Sequence, residues 1–417
     1  MKNSFDVVII GGGPAGIAAA IESKANGAST LIIERDAFLG GILNQCIHNG
    51  FGLTRYNEEL TGPEYAEREI NQLTRAEVTV YKNTMVVTID AKEHRIKIVS
   101  KDYGVLWINY TSLVLAMGCR ERARGSVILP GKRPAGVFTA GTAQFYINIM
   151  GQKIGNTVFV LGSGDIGLIM ARRLSLEGCK VIGVAEIRSF SSGLNRNIAQ
   201  CLEDYSIPLM LEHTVVEVHG DSRVTGVTVA RVNERYEPIE STKAFYACDT
   251  LLLSVGLIPE NELTVQAGIK LDAYTKGPVV NQELETEVDG VFACGNVTFV
   301  HDLVDYVSAS GKRAGHAAAL YALEAETRQR EMAISVSLGS NIAMLMPQRI
   351  VKQNRSEAFE MMLRVSKRIE KGKIIVSNDR EILYTAIRSY LSPGEAITLS
   401  VNYPNFNLPI KVNVIEL

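Results

Sequence analysis

The sequence predicts an α/β protein with two dinucleotide-binding domains and a C-terminal all-β, sandwich-like domain. Three observations predict it. A strand–glycine turn–helix–strand unit opens the chain, the same unit recurs at residue 157, and from about residue 330 seven short strands are expected, over 332–336, 342–346, 358–365, 373–376, 383–390, 396–401 and 408–415. At roughly 150 residues per domain, the 417 residues leave room for about three domains.

The first unit begins with residues 7–10, an apolar run suited to a strand buried on both faces. Gly11, Gly13 and Gly16 follow in G-x-G-x-x-G spacing, with a helix expected over 15–24 and a second strand over 30–33. Gly11 permits the tight turn, Gly13 lets a pyrophosphate approach the backbone, and Gly16 lets the helix pack closely on the strand. The helix start, with Pro14 and Ala15, offers unpaired N–H groups and the positive end of a dipole. Glu34 closes the second strand, placed to accept hydrogen bonds from ribose hydroxyls, with Arg35 beside it.

The second unit repeats the plan. A strand over 157–161 leads to Gly162, Gly164 and Gly167, with Asp165 and Ile166 in the turn. A helix is expected over 168–177 and a strand over 180–185, followed by Glu186. An acid there favours a free 2′-hydroxyl and repels a 2′-phosphate, so NAD(H) is expected over NADP. Arg188 softens that preference. The competing reading is a structural copy that binds nothing.

Composition excludes several partners. Lys plus Arg total 43 against 45 Asp plus Glu, so no basic excess exists to neutralise a nucleic acid. The uncharged, apolar-looking stretch 7–21 is too short for a membrane span and is broken by glycines and Pro14, and no secretory leader is read; a cytoplasmic protein is expected. Six scattered cysteines include no C-x-x-C, and the six His form no metal-binding cluster. No metal site is expected.

Four segments then carry a resemblance: 11–16 with Glu34, 111–118 (TSLVLAMG), 162–167 with Glu186, and 290–296 (GVFACGN). Together they resemble the two-dinucleotide flavoproteins that include the pyridine nucleotide–disulfide oxidoreductases. The resemblance implies Rossmann-like, three-layer ββα domains, with FAD at the first turn and NAD(P)H at the second. It places an FAD domain at 1–120 and 255–328 and an inserted NAD(P) domain at 121–254, and the short strands beyond make a β-rich domain at 329–417. It implies cofactor contacts at Gly41, Ala116, Gly118, Gly256, Gly295, Asn296 and Asp305. Gly295-Asn296 departs from the family's usual Gly-Asp, which changes local charge while keeping a hydrogen-bonding side chain. Within the family, 40–53, 118–125, 162–171 and 254–263 resemble the flavin subunits of opine oxidase and hydrogen cyanide synthase. They resemble still more an FAD-dependent oxidoreductase encoded beside bacterial glycerol-3-phosphate dehydrogenase. That implies an electron-transfer protein partner or companion dehydrogenase subunit. The C-x4-C and C-x-x-C spacings of the family's disulfide reductases are absent.

Two side chains are candidates for chemistry. Cys46 follows Gly40-Gly41, where related enzymes keep a cysteine near the flavin; as a thiolate it could attack a peroxide or disulfide, with His48 close in sequence. His301 precedes a helix expected over 302–325, with Asp302 as N-cap and Asp305 in the first turn. By resemblance that helix points its N-terminus at the flavin. Arg120, Glu121, Arg122 and Arg124 are expected as a solvated hinge, with partner docking or cofactor clamping as the alternative, and T-x-x-E at Thr61 to Glu64 as a capping box. Two alternatives stay open: a self-contained NADH oxidase or peroxide reductase using Cys46, and a flavin-bearing scaffold subunit with a silent NAD site.

Overall fold

The computed structural model describes residues 2–324, 333–351, 358–402 and 408–417. It divides into two compact units, and the second, Arg120–Ile258, interrupts the first, Met1–Cys119 with Pro259–Leu417. Among the described residues no helix is long and apolar enough to cross a membrane.

The chain opens with β1 (Ser4–Ile10), α1 (Pro14–Ala25) and β2 (Thr30–Ile33). Val7, Val8 and Ile9 are fully buried, as a strand covered on both faces requires. Helix α2 (Gly62–Arg75) starts at the Thr61–Glu64 capping box, in which each side chain meets the other residue's backbone N–H. β3 (Thr79–Tyr81) follows, then β4 (Thr84–Asp90), β5 (Arg95–Ser100) and β6 (Gly104–Leu115). β6 is long because it serves two pairings: residues 104–109 run antiparallel to β5, and its C-terminal half pairs parallel with β1. The seven-stranded sheet runs β3-β2-β1-β6-β5-β4, with one later strand also on β6.

The inserted unit contributes β7 (Val137–Thr139), α3 (Ala140–Asn148), β8 (Thr157–Leu161), α4 (Asp165–Leu176), β9 (Lys180–Glu186), β10 (Leu209–Leu211), β11 (His213–His219), β12 (Gly226–Arg231), β13 (Ala244–Tyr246) and β14 (Thr250–Leu253). A parallel sheet runs β7-β14-β8-β9-β10, and β11-β12-β13 form a separate three-stranded sheet. Topology is thus repeated, with a parallel sheet and an antiparallel wing in each unit.

Back in the first unit, β15 (Val291–Ala293) pairs parallel with β6 and leads to α5 (Val304–Leu323). α5 packs on α1 through Gly311 and Gly315: a Cβ on either would fall about 2 Å from the carbonyl oxygen of Ala15 or Ala19 (2.1 and 2.2 Å). Glycine at that spacing brings two helix backbones together. The expected Asp302 N-cap is not found. The helix begins after Leu303 without a side-chain cap, because the Asp302 carboxylate is drawn instead to Arg364 and the Ala396 N–H. The expected helix end at Ala325 lies outside the described residues.

The C-terminal region is all-β. β16 (Ala333–Leu338), β17 (Ile342–Met346), β18 (Arg349–Val351), β19 (Phe359–Val365), β20 (Ile369–Ser377), β21 (Ile382–Leu391), β22 (Ile397–Val401) and β23 (Ile410–Glu416) form sheets β18-β16-β23-β20-β21 and β17-β19-β22. They enclose their own apolar core, including Leu345, Leu363, Val376, Val401 and Val412. Seven of these strands are legible in the sequence; β18, three residues led by an arginine, is not. Met332, the expected start of the first, lies outside the described residues.

Candidate functional site

In the first unit, the turn between β1 and α1 leaves the start of a helix without a side-chain cap among the described residues and could hold an anion. Gly11 has φ +106°, and a Cβ there would fall 2.4 Å from the Ala116 carbonyl oxygen; a Cβ on Gly16 would fall 1.9 Å from that of Gly11. These positions are closed by packing. Gly13 differs: it is the extended N-cap of α1, and among the described residues no side chain caps the helix and nothing lies within 4 Å of a Cβ placed there. Glycine at 13 therefore serves something other than the chain's own packing. With Pro14 at the first helical position and Ala15 buried behind it, the open face fits the pyrophosphate of a dinucleotide.

Glu34, 6% exposed, turns back onto this turn. Its Oε2 accepts the Gly12 N–H at 2.7 Å and its Oε1 the Asp36 N–H at 2.8 Å, which fixes the carboxylate and leaves lone pairs for ribose hydroxyls. The neighbouring Arg35 is exposed. The Gly40-Gly41 turn lies on the same glycines: Gly40 N–H donates to Gly12 O at 2.8 Å, and a Cβ on Gly41 would sit 3.2 Å from Gly13 Cα. Ala116 N–H donates to Ile10 O, and Gly118 ends the segment with φ +72°. Gly295 approaches from the other side, its N–H on Ser310 Oγ at 2.7 Å, and a Cβ there would fall 2.7 Å from Ala15 Cβ. Asn296 is half-buried, with Oδ1 accepting the His301 N–H and Nδ2 3.6 Å from Cys119 Sγ. So Gly11, Gly13, Pro14, Ala15, Gly16, Glu34, Gly41, Ala116, Gly295 and Asn296 gather at one helix end.

The second unit repeats the geometry. Gly162 has φ +97°, and Cβ atoms on Gly162 and Gly167 would collide with Ser254, whose Oγ accepts the Gly167 N–H at 3.1 Å. Gly164 is the uncapped, extended N-cap of α4. Glu186, 5% exposed, accepts the Ser163 N–H at 3.0 Å, the Ser163 hydroxyl at 2.5 Å and the Arg188 N–H at 3.1 Å. Asp165 spends Oδ1 on Leu194 N–H (2.8 Å) and Asn197 Nδ2 (2.6 Å), so it anchors the 191–197 segment, a loop running into the short helix Asn195–Cys201, onto the turn. Ile166 is half-buried in the first turn of α4. Gly256, φ +102°, receives the Arg122 N–H on its carbonyl. Ser163, Ser254 and the 191–197 loop escape sequence reading; the serine inside G-x-G beside a strand-end acid was the available signal.

The chemistry candidates separate. Cys46 is half-buried, its thiol donating to Ile42 O at 3.2 Å, while His48 Nδ1 pairs with Asn49 O at 3.0 Å. Cys119 is also half-buried; the other four cysteines are buried, and burial pushes the Cys294 thiol up to about 12 and those of Cys201 and Cys248 up to about 11. His301 is 8% exposed, and neither ring nitrogen has a hydrogen-bond partner among the described residues. Burial first, then Arg364 and Arg313, push its imidazole down to about 3, so it is neutral. Asp305 does lie in the first turn of α5, but its carboxylate accepts the Gly52, Thr54 and Arg55 N–H groups at 2.7–3.2 Å. Arg55 in turn grips the fully buried Glu69 bidentately (2.8 and 3.1 Å), which locks the 52–56 loop between α2 and α5.

The chain is 28% identical over 292 residues to hydrogen cyanide synthase subunit HcnB of Pseudomonas protegens, covering 64% of this chain and 60% of that protein. It is 28% identical over 253 residues to an NADH oxidase of Methanocaldococcus jannaschii, 58% of this chain and 51% of that one. The chain thus spans half to three fifths of the length of these curated relatives. Thioredoxin reductase from T. acidophilum shares the fold, with TM-score 0.64, 23% identity, and coverage of 77% of this chain and 100% of that one. The family model for pyridine nucleotide-disulphide oxidoreductases matches residues 5–343. That match spans both units that carry a glycine turn, and the chain belongs to the pyridine nucleotide-disulphide oxidoreductase family.

Proposed function

We propose that this chain is an FAD-dependent oxidoreductase that moves a hydride between NAD(H), held at the second glycine turn, and FAD, held at the first. Electrons then pass to or from a partner protein, a companion glycerol-3-phosphate dehydrogenase module. One observation carries the reading: both turns pair an uncapped helix N-terminus with a buried acid fixed by the turn's own N–H, Gly12 on Glu34 and Ser163 on Glu186. Proteins of this family generally bind FAD and NAD(P)H. When bound, FAD supplies the hydride-transfer chemistry.

The chain's own residues bind and orient. Gly11, Gly13 and Gly16 with the start of α1 hold one pyrophosphate, and Gly162, Gly164 and Gly167 with the start of α4 hold the other. Glu34 and Glu186 accept from the adenosine ribose. Because Glu186 is buried and charged, a 2′-phosphate beside it meets repulsion with little solvent screening, which supports NAD(H) over NADP. The partner rests on the resemblance to the oxidoreductase encoded beside that dehydrogenase; HcnB is itself a subunit of a larger enzyme. Mixing this protein with a purified glycerol-3-phosphate dehydrogenase module, glycerol 3-phosphate and NAD tests it. NADH formation that needs both proteins supports the partner, and NADH formation that needs neither or only the dehydrogenase removes it.

A second reading, an NADH oxidase or peroxide reductase working through Cys46, draws on the half-buried thiol that follows the Gly40-Gly41 turn. Turnover of NADH with oxygen or peroxide by the protein alone, at about 10 per second, would favour it.

A further inference from the structure

We propose that Arg364 is a positioning residue through which the C-terminal β-domain sets the corner Gly295-Asn296 of the first cofactor site. The inference rests on the reading of that site as the FAD site.

Arg364 projects from β19, and its side chain is only 13% exposed. Nη1 donates to the carbonyls of Gly394 (2.7 Å) and Pro393 (3.3 Å), both in the turn between β21 and β22. Nη2 donates to Val300 O at 3.0 Å and to Asp302 Oδ1. The guanidinium lies over the Phe299 ring, 5.4 Å from its centroid. One planar fork thus joins two strands' worth of β-domain to the 299–302 segment, a task that needs Arg's fixed donors and that a lysine cannot copy. The Ala396 N–H completes the weld on Asp302 Oδ2 at 2.7 Å.

That segment is the direct continuation of the cofactor corner. Thr298 Oγ1 donates to Gly295 O at 2.7 Å, and the His301 N–H to Asn296 Oδ1 at 3.0 Å, so the chain folds back on the corner. The corner itself presses on Ala15, in the first turn of α1. His301, whose two buried ring nitrogens have no hydrogen-bond partner among the described residues, contributes no side-chain hydrogen bond there that could hold the segment. Its backbone does that work, and Arg364 fixes the residues on both sides of it. The Asn296 side chain, whose Oδ1 orients by the His301 N–H, is therefore set from the β-domain.

The test compares wild type with Arg364→Ala, Arg364→Lys and the isosteric Asp302→Asn. Each is measured for FAD affinity by fluorescence, visible circular dichroism of the flavin at saturating FAD, NADH affinity and thermal midpoint. The expected result is FAD affinity weakened about tenfold or more in Arg364→Ala, as loss of a charged multi-acceptor bond implies. A changed flavin dichroism, partial recovery in Arg364→Lys and unchanged NADH affinity accompany it. If Arg364→Ala does not fold, Asp302→Asn carries the test, with weaker FAD binding and altered dichroism expected. Unchanged FAD affinity and dichroism in the folded variants overturns the proposal, as does equal loss of FAD and NADH. A wild-type protein that takes up no FAD removes the site reading itself and the inference with it.

Discussion

Ser163 gives two hydrogen bonds to one oxygen of Glu186: its backbone N–H at 3.0 Å and its hydroxyl at 2.5 Å. In the first unit Gly12 supplies Glu34 with the N–H alone, at 2.7 Å. The two turns therefore share a frame but differ in how tightly the acid is held. The Ser163 hydroxyl also accepts the Ser192 N–H at 3.2 Å, which ties the loop beyond β9 to the turn.

Ser163→Ala should weaken NADH binding by about tenfold, since the half-buried Ser192 N–H loses its acceptor and Glu186 loses a donor. FAD content should not change. Fluorescence titration with NADH, alongside the flavin-to-protein ratio, checks this; an unaltered NADH affinity would show that the serine does not orient the acid.

The glycines of the first turn should separate by role. Gly11→Ala meets the Ala116 carbonyl from a left-handed backbone and should cost at least about 2 kcal/mol of stability. Gly13→Ala sits at φ −78° with open space around it, so the protein should fold with its melting point nearly unchanged and lose FAD affinity by about tenfold or more. Differential scanning calorimetry and flavin retention on gel filtration distinguish the two. Equal melting losses would contradict the assignment.

His301 makes stability depend on pH. Its folded-state imidazole is pushed down to about 3, below the ordinary 6.5, so the unfolded chain binds the proton more readily between those values. Its contribution is complete above pH 6.5 and is lost as pH falls towards 3, at up to about 1.4 kcal/mol per pH unit. Comparing urea unfolding of wild type and His301→Phe between pH 6.5 and 4.5 tests this. The variant should show the shallower fall; parallel curves would refute it.

These consequences divide along a physical line. Both glycine turns, the strands beside them, the Thr61–Glu64 box and seven strands of the β-domain are legible because each depends on neighbours within a few residues. Asp302 and Asp305 are not. Local pattern places both at a helix start, yet their carboxylates answer to Arg364 and to the 52–55 loop, hundreds of residues away in the latter case. The burial of His301 is likewise invisible, since nothing in its own stretch announces the arginines packed around it. Cα-level order was written locally; the partners of charged side chains were written in tertiary structure.

Cys46→Ser should leave the reduction of bound flavin by NADH within about twofold of wild type, a change of under about 0.5 kcal/mol in barrier. Stopped-flow absorbance under nitrogen measures it. A loss of a hundredfold or more would move the chemistry onto the thiol and favour the oxidase or peroxide-reductase reading.

Anaerobic titration of the purified, flavin-loaded protein with NADH, followed at the flavin absorbance band, bears most directly on the claim of two working dinucleotide sites. Bleaching that is complete near one NADH per flavin, with NADPH much weaker, is the predicted result. Flavin that keeps its colour through excess NADH and NADPH would contradict it and leave a scaffold subunit whose second site is silent.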